Sequence, residues 1–400
     1  MIVEDSSTFW IGLDDTDERE YGCTTFDFND LLDTLSDSGC QINDARLVRL
    51  WPFAAQRTRG NAALAASVIF HDQTRLEEIL DNWFESKYST IEPSNAQHSA
   101  QPTLLLTKGQ IAEEIYWDTV QGHVDLNARM SSLSTIEHRL WHSDAGCMGL
   151  IGSSAAIAWR GTHDWTWECT AWRQMDGERF VPMQSVVEMA ERFPATILNR
   201  DPNAKRSLIS PRTPCPVLYG IRGEEMAVVL AAHEFLQNYP VEQSISHRVF
   251  RTNQATDDHL KGSHVSTVES VRIMKGGHVE IDVGQILLSF AKGGPVNRLA
   301  QSLQPGDKIE WYGLTDGHGV YHLEKLRIVS GTRNGKRPKC PCGFRYKSKG
   351  LNQKLKCPKC KLTTENRWDT EVTETDWLEP PISSRRHLSK PLGRIGKSEG

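Results

Sequence analysis

The sequence predicts a multidomain α+β protein whose mixed helix and strand units come first, followed by a β-barrel and a cysteine-rich metal module. Three observations predict this order. The chain has 400 residues, more than one ordinary domain contains. Strand-like runs and helical spacing alternate as far as residue 237. Beyond residue 245 strand-like runs recur alone until two close pairs of cysteines appear.

Composition excludes several classes of protein. No apolar run reaches the roughly 18 residues that a membrane helix needs. The N-terminal stretch MIVEDSSTFWIGLDD has two acidic residues before any base, unlike a secretory signal peptide. Nine cysteines, an odd number scattered over a long chain, argue against a disulfide framework and for a reducing compartment. We therefore expect a soluble, cytoplasmic protein with no membrane association, and the sequence implies no obligate protein partner.

The first predicted domain covers residues 1–145. The sequence predicts a short buried strand at residues 9–13 (FWIGL) and two further strands at residues 45–51 and 65–70. Residues 73–86 have the apolar spacing of an amphipathic helix. Strands interleaved with helices indicate an α/β or α+β unit.

The second predicted domain covers residues 146–243. Small residues over 149–158 predict a helix that packs closely, and residues 164–173 alternate like a strand with one buried face. A loop with three prolines, 211–216, precedes another strand-like run and a helix over 224–237. This order suits a two-layer α+β domain.

The third predicted domain, residues 244–332, is all-β. Short strands with glycine-rich turns indicate a small barrel, and the OB-fold is a common barrel of this kind that binds nucleic acid. The five predicted strands are His247–Thr252, Val265–Met274, His278–Phe290, Lys308–Leu314 and Gly319–Val329. Residues 333–366 form the cysteine module. Residues 367–400 are rich in Pro, Ser and Arg, and this composition predicts a disordered tail.

Charge is distributed unevenly along the chain. Residues 331–400 carry 17 Lys and Arg against 7 Asp and Glu, whereas the rest carries 29 against 44. Within 331–361 there are 11 bases and no acid. A compact basic module on an acidic body is typical of proteins that bind phosphate groups.

The two cysteine pairs are the most specific local signal. Cys340 and Cys342 form a CxC pair, and Cys357 and Cys360 form a CxxC pair about fifteen residues later. This spacing predicts a zinc ribbon, in which four thiolates close a tetrahedral structural site with no open position for catalysis. The first pair is one residue tighter than usual. Unliganded cysteine turns in a basic loop are the alternative. The ribbon would present basic side chains to phosphates: Arg345, Lys347, Lys349, Lys354 and Lys356.

Three carboxylates, Asp14, Asp15 and Asp17, follow the first predicted strand. They repel one another unless a cation lies among them, and their hard oxygen atoms suit Mg²⁺, which in turn binds polyphosphate. An acidic turn that caps a helix is an equally weighted alternative from the spacing alone.

A short loop connects those carboxylates to Gly22-Cys23-Thr24-Thr25. A threonine hydroxyl beside a metal-bound phosphate could accept a phosphoryl group, and Cys23 could be a nucleophile, although no His partner is close in sequence. The alternative, which spacing alone favours, is that these residues cap a following helix.

A second polar turn, with Arg57, Arg59, Gly60 and Asn61, follows the second predicted strand. Arginine forks recognise phosphate, and Gly-Asn allows a close backbone approach. A plain surface turn is equally compatible with these residues. The chain contains neither GxxxxGK[ST] nor GxGxxG, so any nucleotide site is neither a P-loop nor a Rossmann site.

A series of longer strings occurs in a fixed order along residues 9–362 and resembles one family. The strings are IGLDDTD (11–17), CTT (23–25), RLWPFAAQRTRGNAAL (49–64), GLIGSSAAIAW (149–159), TPCPVLYGIRGEE (213–225), VFRTNQATDDHL (249–260) and the terminal cysteine ribbon. Together they resemble the archaeal tRNA-isoleucine agmatidine synthetase family throughout its length.

The resemblance implies a specific reaction. Members of the family conjugate agmatine to C2 of the wobble cytidine in the isoleucine tRNA with a CAU anticodon, so that this tRNA decodes AUA. They consume ATP, release AMP and phosphate, and activate the C2 oxygen by phosphorylation before the amine attacks. The implied architecture is a kinase-like catalytic domain, a ferredoxin-like domain, an OB-fold and a zinc ribbon.

Residue roles follow from the same resemblance. Asp14, Asp15 and Asp17 would hold Mg²⁺ on ATP, and Thr24 matches the threonine that the family phosphorylates. The turn residues Arg59, Gly60 and Asn61 would bind ATP or the transferred phosphate. Glu224 or Glu225 would bind the guanidinium group of agmatine. Candidate RNA contacts are Arg251, Asn253, Arg345, Lys347 and Lys349. The cofactors would be ATP, Mg²⁺ and Zn²⁺.

Two other functions are alternatives to the tRNA-modifying ligase that the resemblance implies. One is a non-catalytic tRNA-binding protein with a silent N-terminal domain, against which the intact DDTD, CTT and TRGN strings argue. The other is a generic Mg²⁺-dependent kinase or phosphoesterase that acts on another RNA or nucleotide. The sequence departs from the family pattern in its CxC pair, in residues 27–30 (DFND), in the segment before Gly149 and in the tail beyond residue 367.

Overall fold

The computed structural model describes residues 7–18, 21–55, 57–58, 60–89, 99–174, 177–204, 207–350 and 353–396. The chain forms two compact units. Unit 1 comprises residues 1–261 together with 381–400, and unit 2 comprises residues 262–380. None of the helices in these described ranges is long and apolar enough to cross a membrane.

Unit 1 is built on an eight-stranded sheet. Its strands are β1 (Ser7–Asp14), β2 (Gln41–Arg49), β3 (Ala62–Phe70), β4 (Thr103–Lys108), β5 (His138–His142), β6 (Thr166–Trp172), β7 (Val217–Gly223) and β8 (Ser246–Thr252). The order across the sheet is β5-β4-β1-β3-β2-β8-β6-β7. Only the junction between β2 and β8 is parallel among these neighbours, and it joins the two parts of the sheet.

Seven helices of unit 1 lie between these strands along the chain. They are α1 (Thr24–Asp37), α2 (Gln73–Tyr88), α3 (Glu114–Gln121), α4 (Leu126–Leu133), α5 (Gly149–Ala158), α6 (Met183–Arg192) and α7 (Met226–Gln237). Helices α1 and α2 contribute to one buried cluster and α3, α4 and α5 to another. Because helices cover both faces, β3 reads as a nearly continuous apolar run, AALAASVIF, rather than an alternating one.

The small residues of α5 let this helix lie directly on β1. A Cβ atom added to Gly149 would lie 2.6 Å from the carbonyl oxygen of Asp14, and one added to Gly12 would overlap the backbone of Ser153. The expected close-packing helix over 149–158 is therefore confirmed, and its N-terminal end lies against the end of β1.

Unit 2 contains a barrel-like sheet with a single α-helix, α8 (Pro295–Ser302), in its described residues. The strands are β9 (His264–Thr267), β10 (Ser270–Ile273), β11 (Val279–Asp282), β12 (Ile286–Ser289), β13 (Lys308–Thr315) and β14 (Val320–Asn334). Strands β9 and β10 are separated by two residues but lie at opposite ends of the path β10-β11-β12-β14-β13-β9. The sheet therefore closes around one bent segment.

The cysteine module contains two very short strands, β15 (Leu355–Lys356) and β16 (Thr363–Thr364), which pair with each other. A further strand, β17 (Thr370–Thr373), pairs with the C-terminal end of β14.

Two sequence predictions about boundaries differ from the structure. The sequence predicts that the strand at His247–Thr252 opens the barrel, but β8 pairs with β6 and β2 in the sheet of unit 1. An alternating pattern predicts a strand without specifying its neighbours, so the change of unit falls at 261 rather than 244. The tail expected to be disordered from residue 367 instead forms β17 and, over 381–396, packs on unit 1; residues 397–400 lie outside the described ranges.

Candidate active site

The three aspartates lie where β1 ends. Asp14 is the last residue of the strand, and Asp15 takes a left-handed backbone conformation with φ of 60°, which Asp tolerates better than most residues. The chain thereby turns sharply over the N-terminal end of α5. A Cβ atom at Gly152 would overlap the Asp14 carboxylate, so glycine is required there for this carboxylate to keep its position.

Burial and crowding raise the affinity of these carboxyl groups for protons. The pKa of Asp14 lies well above its usual value, first because the group is buried and then because Asp15 is close. Burial also raises the pKa of Asp15 to about 7; the amide of Gln101 opposes this shift, whereas Asp17 and Glu18 add to it. A cation at this turn would remove the penalty, since it favours the charged form.

Asp17 faces the start of α1. Its Oδ1 atom accepts hydrogen bonds from Thr24 Oγ1 at 3.0 Å and from Thr58 Oγ1 at 3.1 Å. Thr24 is the first residue of α1, where exposed backbone N–H groups and the helix dipole favour negative charge. Cys23, immediately before it, is buried, and burial raises the pKa of its thiol to about 12, which argues against a thiolate nucleophile.

Two cavities meet at this point. The first, called here the acidic cavity, has a volume of about 300 Å³ and is lined by Asp14, Asp15 and Asp17. The second, called the basic cavity, has a volume of about 450 Å³, and Thr24 lines it. The charged residues of the basic cavity are Arg49, Arg212, Arg222, Arg385, Arg386, Asp17 and Glu168. Asp17, Thr58, Asn61 and Ala62 line both cavities.

The predicted polar turn lies at this junction. Asn61 has a left-handed φ of 46° and donates a hydrogen bond to the carbonyl oxygen of Trp51 at 2.8 Å. Gly60 lies against the Arg49 guanidinium group, which a Cβ atom at this position would overlap. Asn61 lines both cavities and Gly60 lines the basic cavity, whereas Arg59 falls outside the described residues; phosphate binding by this turn stays a prediction.

The carboxylates expected to bind agmatine are located elsewhere. Glu224 accepts two hydrogen bonds from Arg394 Nε, at 2.9 and 3.0 Å, so its carboxylate already has a guanidinium partner. Glu225 is exposed and is the N-cap residue of α7. Neither residue lines the acidic or the basic cavity. The geometry of the two cavities thus gives no support to agmatine binding by Glu224 or Glu225, and that role stays a prediction.

Two candidate RNA contacts in unit 1 are also structural. Asn253 is fully buried; its Nδ2 atom donates to the carbonyl oxygen of Arg49 and its Oδ1 atom accepts from the Arg49 amide. Arg251 pairs with Asp44 at 2.6 Å and retains 18% side-chain exposure. Both hold the sheet near β2; its complete burial argues against Asn253 as an RNA contact, whereas RNA binding by Arg251 stays a prediction.

In unit 2 the four cysteines come together as the spacing predicts. The Sγ atoms of Cys340, Cys342, Cys357 and Cys360 all lie within 4.8 Å of one another, and the closest pair is 3.3 Å apart. Four sulfurs about 2.3 Å from one ion lie at such separations, so the set fits Zn²⁺. Among the described residues this is the only group of at least three potential ligands whose ligand atoms converge so closely. The carboxylates of the three aspartates do not converge in this way.

The remaining candidate RNA contacts lie on this cysteine module. Arg345, Lys347 and Lys349 are all exposed. Arg345 donates to the carbonyl oxygen of Arg337 at 2.7 Å and lies 3.8 Å from Asp369. Their exposure is compatible with binding to phosphate groups.

Sequence reasoning missed a buried polar chain in the basic cavity. Gln254 Nε2 donates a short hydrogen bond to Glu168 Oε2, and Gln254 Oε1 pairs with His387 Nδ1 at 3.1 Å. Arg222, also buried, lines the same cavity. Arg222 and Gln254 each lie in a string that carries the family resemblance, 213–225 and 249–260, but nothing in the sequence shows that the two meet at this cavity.

The chain is similar to one family of known proteins. Two family models match the chain: the TiaS TCKD domain over residues 10–144 and the TiaS FLD domain over 148–259. The tRNA(Ile2) 2-agmatinylcytidine synthetase TiaS of Archaeoglobus fulgidus is 31% identical, and the match covers 96% of this chain and 97% of the relative. The enzyme of the same name from Methanocaldococcus jannaschii is 28% identical, over 96% and 98% of the two chains.

Solved structures of TiaS have the same fold as this chain. The apo enzyme superposes with a TM-score of 0.80 at 27% identity and covers 97% of this chain and 98% of its own. The complex of TiaS with tRNA(Ile2) and ATP gives a TM-score of 0.79 at 27% identity, over 98% and 99% of the two chains. The similarity thus extends over nearly the full length of both proteins, and this chain belongs to the tRNA(Ile2) 2-agmatinylcytidine synthetase family.

Proposed function

We propose that the protein is an ATP-dependent ligase that conjugates agmatine to C2 of the wobble cytidine in the isoleucine tRNA with a CAU anticodon. The solved complexes of its relatives contain tRNA(Ile2), an ATP analogue and agmatine. The observation that carries the proposal in this chain is the junction of the two cavities. Asp17 lines both of them and binds Thr24, so a phosphoryl donor on one side faces an acceptor on the other.

The acidic cavity suits the triphosphate of ATP with Mg²⁺. Mg²⁺ commonly uses one or two carboxylates together with substrate phosphates, so Asp14 and Asp15 suffice as protein ligands while Asp17 remains on Thr24. The raised pKa values of Asp14 and Asp15 support this assignment, because buried carboxylates that repel one another favour a cation. Mg²⁺ held there supplies positive charge that offsets the charge of the phosphates.

Thr24 is the proposed phosphoryl acceptor in the protein. Its Oγ1–H donates to Asp17, which can orient the hydroxyl and accept its proton as the oxygen attacks phosphorus. The N-terminal end of α1 stabilises the negative charge that results. Asn61 and Gly60, at the same junction, are in position to contact the transferred group.

The basic cavity is the proposed site of the reacting cytidine. The C2 oxygen of a pyrimidine is a poor leaving group until it is phosphorylated, whereupon phosphate can leave with the bonding electrons. Arg49 and Arg222 line the cavity and can stabilise the charge on that phosphate.

We further infer four functional parts, which correspond to a kinase-like domain, a ferredoxin-like domain, an OB-fold and a zinc ribbon. The strand path of unit 2, closed through one bent segment with α8 between β12 and β13, supports the OB-fold. Convergence of the four cysteines supports Zn²⁺ in the ribbon. Exposed Arg345, Lys347 and Lys349 are the proposed RNA contacts of that ribbon. Because its substrate is a tRNA, we expect the enzyme to act in the cytoplasm.

Nucleoside mass spectrometry tests the proposal directly. An unmodified CAU-anticodon isoleucine tRNA is incubated with the protein, ATP, Mg²⁺ and agmatine. We expect a cytidine that is heavier by one agmatine less one water, at the wobble position only. ATP consumption with unmodified cytidine would favour a kinase with another substrate. Tight tRNA binding without ATP consumption would favour a binding protein.

A further inference from the structure

We propose that His387 accepts the proton of the amine nucleophile in the ligation step, and that Gln254 and Glu168 hold its imidazole ring in position. The inference deepens the proposed function and rests on it. His387 lines the basic cavity together with Thr24, although 363 positions separate the two residues in the sequence.

The segment that carries His387 is firmly attached to unit 1. We call residues 381–396 the C-terminal strap. Arg394 binds Glu224 at 2.9 Å and Asp164 at 2.9 Å, and Lys390 binds Asp164 at 2.9 Å. All these side chains are at least 80% buried.

Backbone contacts of the strap fix His387 itself. The amide of Ala255 donates to the carbonyl oxygen of His387 at 2.9 Å, and the amide of Asp257 donates to that of Leu388 at 2.8 Å. The Leu388 side chain is buried in the core of unit 1. His387 therefore has a defined position at the cavity, where part of the residue is open to solvent while its ring lies among protein atoms.

The hydrogen-bond chain determines which ring nitrogen carries the proton. A carboxylate only accepts hydrogen bonds, so the Gln254 amide nitrogen faces Glu168 and its oxygen faces the imidazole. The Nδ1 atom of His387 must then be the donor. Its Nε2 atom keeps a lone pair, and this is the nitrogen that remains for a ligand in the cavity.

Surrounding charge keeps this imidazole neutral. The pKa of His387 is lowered well below its usual value, first by the positive charge of Arg49, then by burial and by Arg222. The same positive charges lower the pKa of an ammonium group that enters the cavity, which favours the neutral, nucleophilic amine. The charged groups of this cavity are Arg49, Arg212, Arg222, Arg385, Arg386, Asp17 and Glu168.

In the ligation step His387 acts as the base that removes a proton from the attacking amine. The amine nitrogen forms a bond to C2 of the phosphorylated cytidine as one of its N–H bonds breaks. That proton passes to Nε2 of His387. The bond between C2 and its oxygen breaks, and the phosphate leaves with the electron pair. His387 then returns the proton to solvent.

The test separates phosphoryl transfer from ligation in the full-length enzyme. Radiolabelled phosphate transfer from ATP to protein and tRNA is measured without agmatine, and agmatidine formation is measured with it, for wild type, His387→Ala and the control His138→Gln. His138 is an exposed histidine on the edge strand β5 of the same unit. General base catalysis commonly contributes about 10²- to 10⁴-fold. We expect His387→Ala to lose about that much in agmatidine formation at saturating agmatine, with phosphoryl transfer unchanged.

Two further readouts distinguish a base from a structural residue. Added imidazole should restore part of the ligation rate of His387→Ala, and we expect ligation by wild type to lose rate at acidic pH more steeply than ligation by the variant. Equal loss of both steps, or no loss of ligation, would overturn the proposal. A wild-type enzyme that forms no agmatidine would instead refute the proposed function itself.

Discussion

Removal of the Arg394 side chain should destabilise unit 1 by about 3 kcal/mol, at the lower end of the range for breaking a buried ion pair. Its guanidinium group is only 6% exposed and binds two carboxylates, Glu224 and Asp164. In Arg394→Ala, Asp164 would keep Lys390 at 2.9 Å, which offsets part of the loss. The Glu224 carboxylate, which is 80% buried beside Arg394, would lose its guanidinium partner.

An exposed ion pair between an arginine and a glutamate provides a matched control. Arg272 forms a similar fork with Glu280, at 3.1 and 2.6 Å, but its side chain is 68% exposed. Exposed pairs contribute about 0–1 kcal/mol, so Arg272→Ala should change the free energy of unfolding by less than about 1 kcal/mol.

Equilibrium urea unfolding measures both changes by linear extrapolation. Hydrogen exchange at the amides of Ala255 and Asp257, which donate to the strap, shows whether the strap separates before unit 1 unfolds. The expected order is a large effect for Arg394→Ala, a smaller effect for Arg394→Lys and little effect for Arg272→Ala. Equal effects of Arg394→Ala and Arg272→Ala would refute the argument from burial.

Four other predictions follow from the site. Thr24→Ala should abolish phosphorylation of the protein and Thr25→Ala should retain it, as phosphopeptide mapping can establish; phosphate on another residue would contradict the role of Thr24. Gly152→Ala should lower ATP turnover by displacing the Asp14 carboxylate, whereas Gly293→Ala, whose added Cβ would make an ordinary contact of 3.7 Å, should not. Burial raises the folded-state pKa of Asp15 from 3.8 to about 7, so the free energy of unfolding of the metal-free enzyme should fall by up to about 4 kcal/mol as pH rises through that interval. Asp15→Asn should remove this part of the pH dependence in urea titrations and should also abolish ATP turnover. Cys357→Ser should reduce zinc content, measured by atomic absorption, from about one ion per chain, and an unchanged content would place the metal elsewhere.

Features that depend on neighbouring residues could be predicted from the sequence. The four cysteines fall in two pairs within 21 residues, so the short segment between the pairs keeps them close in space. The aspartates and Thr24 lie at the end of a strand and the start of the next helix, so their proximity also follows from local structure. The ordered series of strings identified the family, and the comparisons confirm it.

The tertiary structure alone decided the contacts between distant segments. The Pro, Ser and Arg content of the tail predicted disorder. The tail is ordered because Arg394 binds carboxylates of residues 164 and 224, which are far from it in the sequence. Likewise, Asn253 looked like an RNA contact until its burial against Arg49 became visible. Long-range hydrogen bonds and ion pairs leave no periodic pattern in a sequence, since each depends on where the whole chain places its partner. The position of His387 in the basic cavity is a result of this kind.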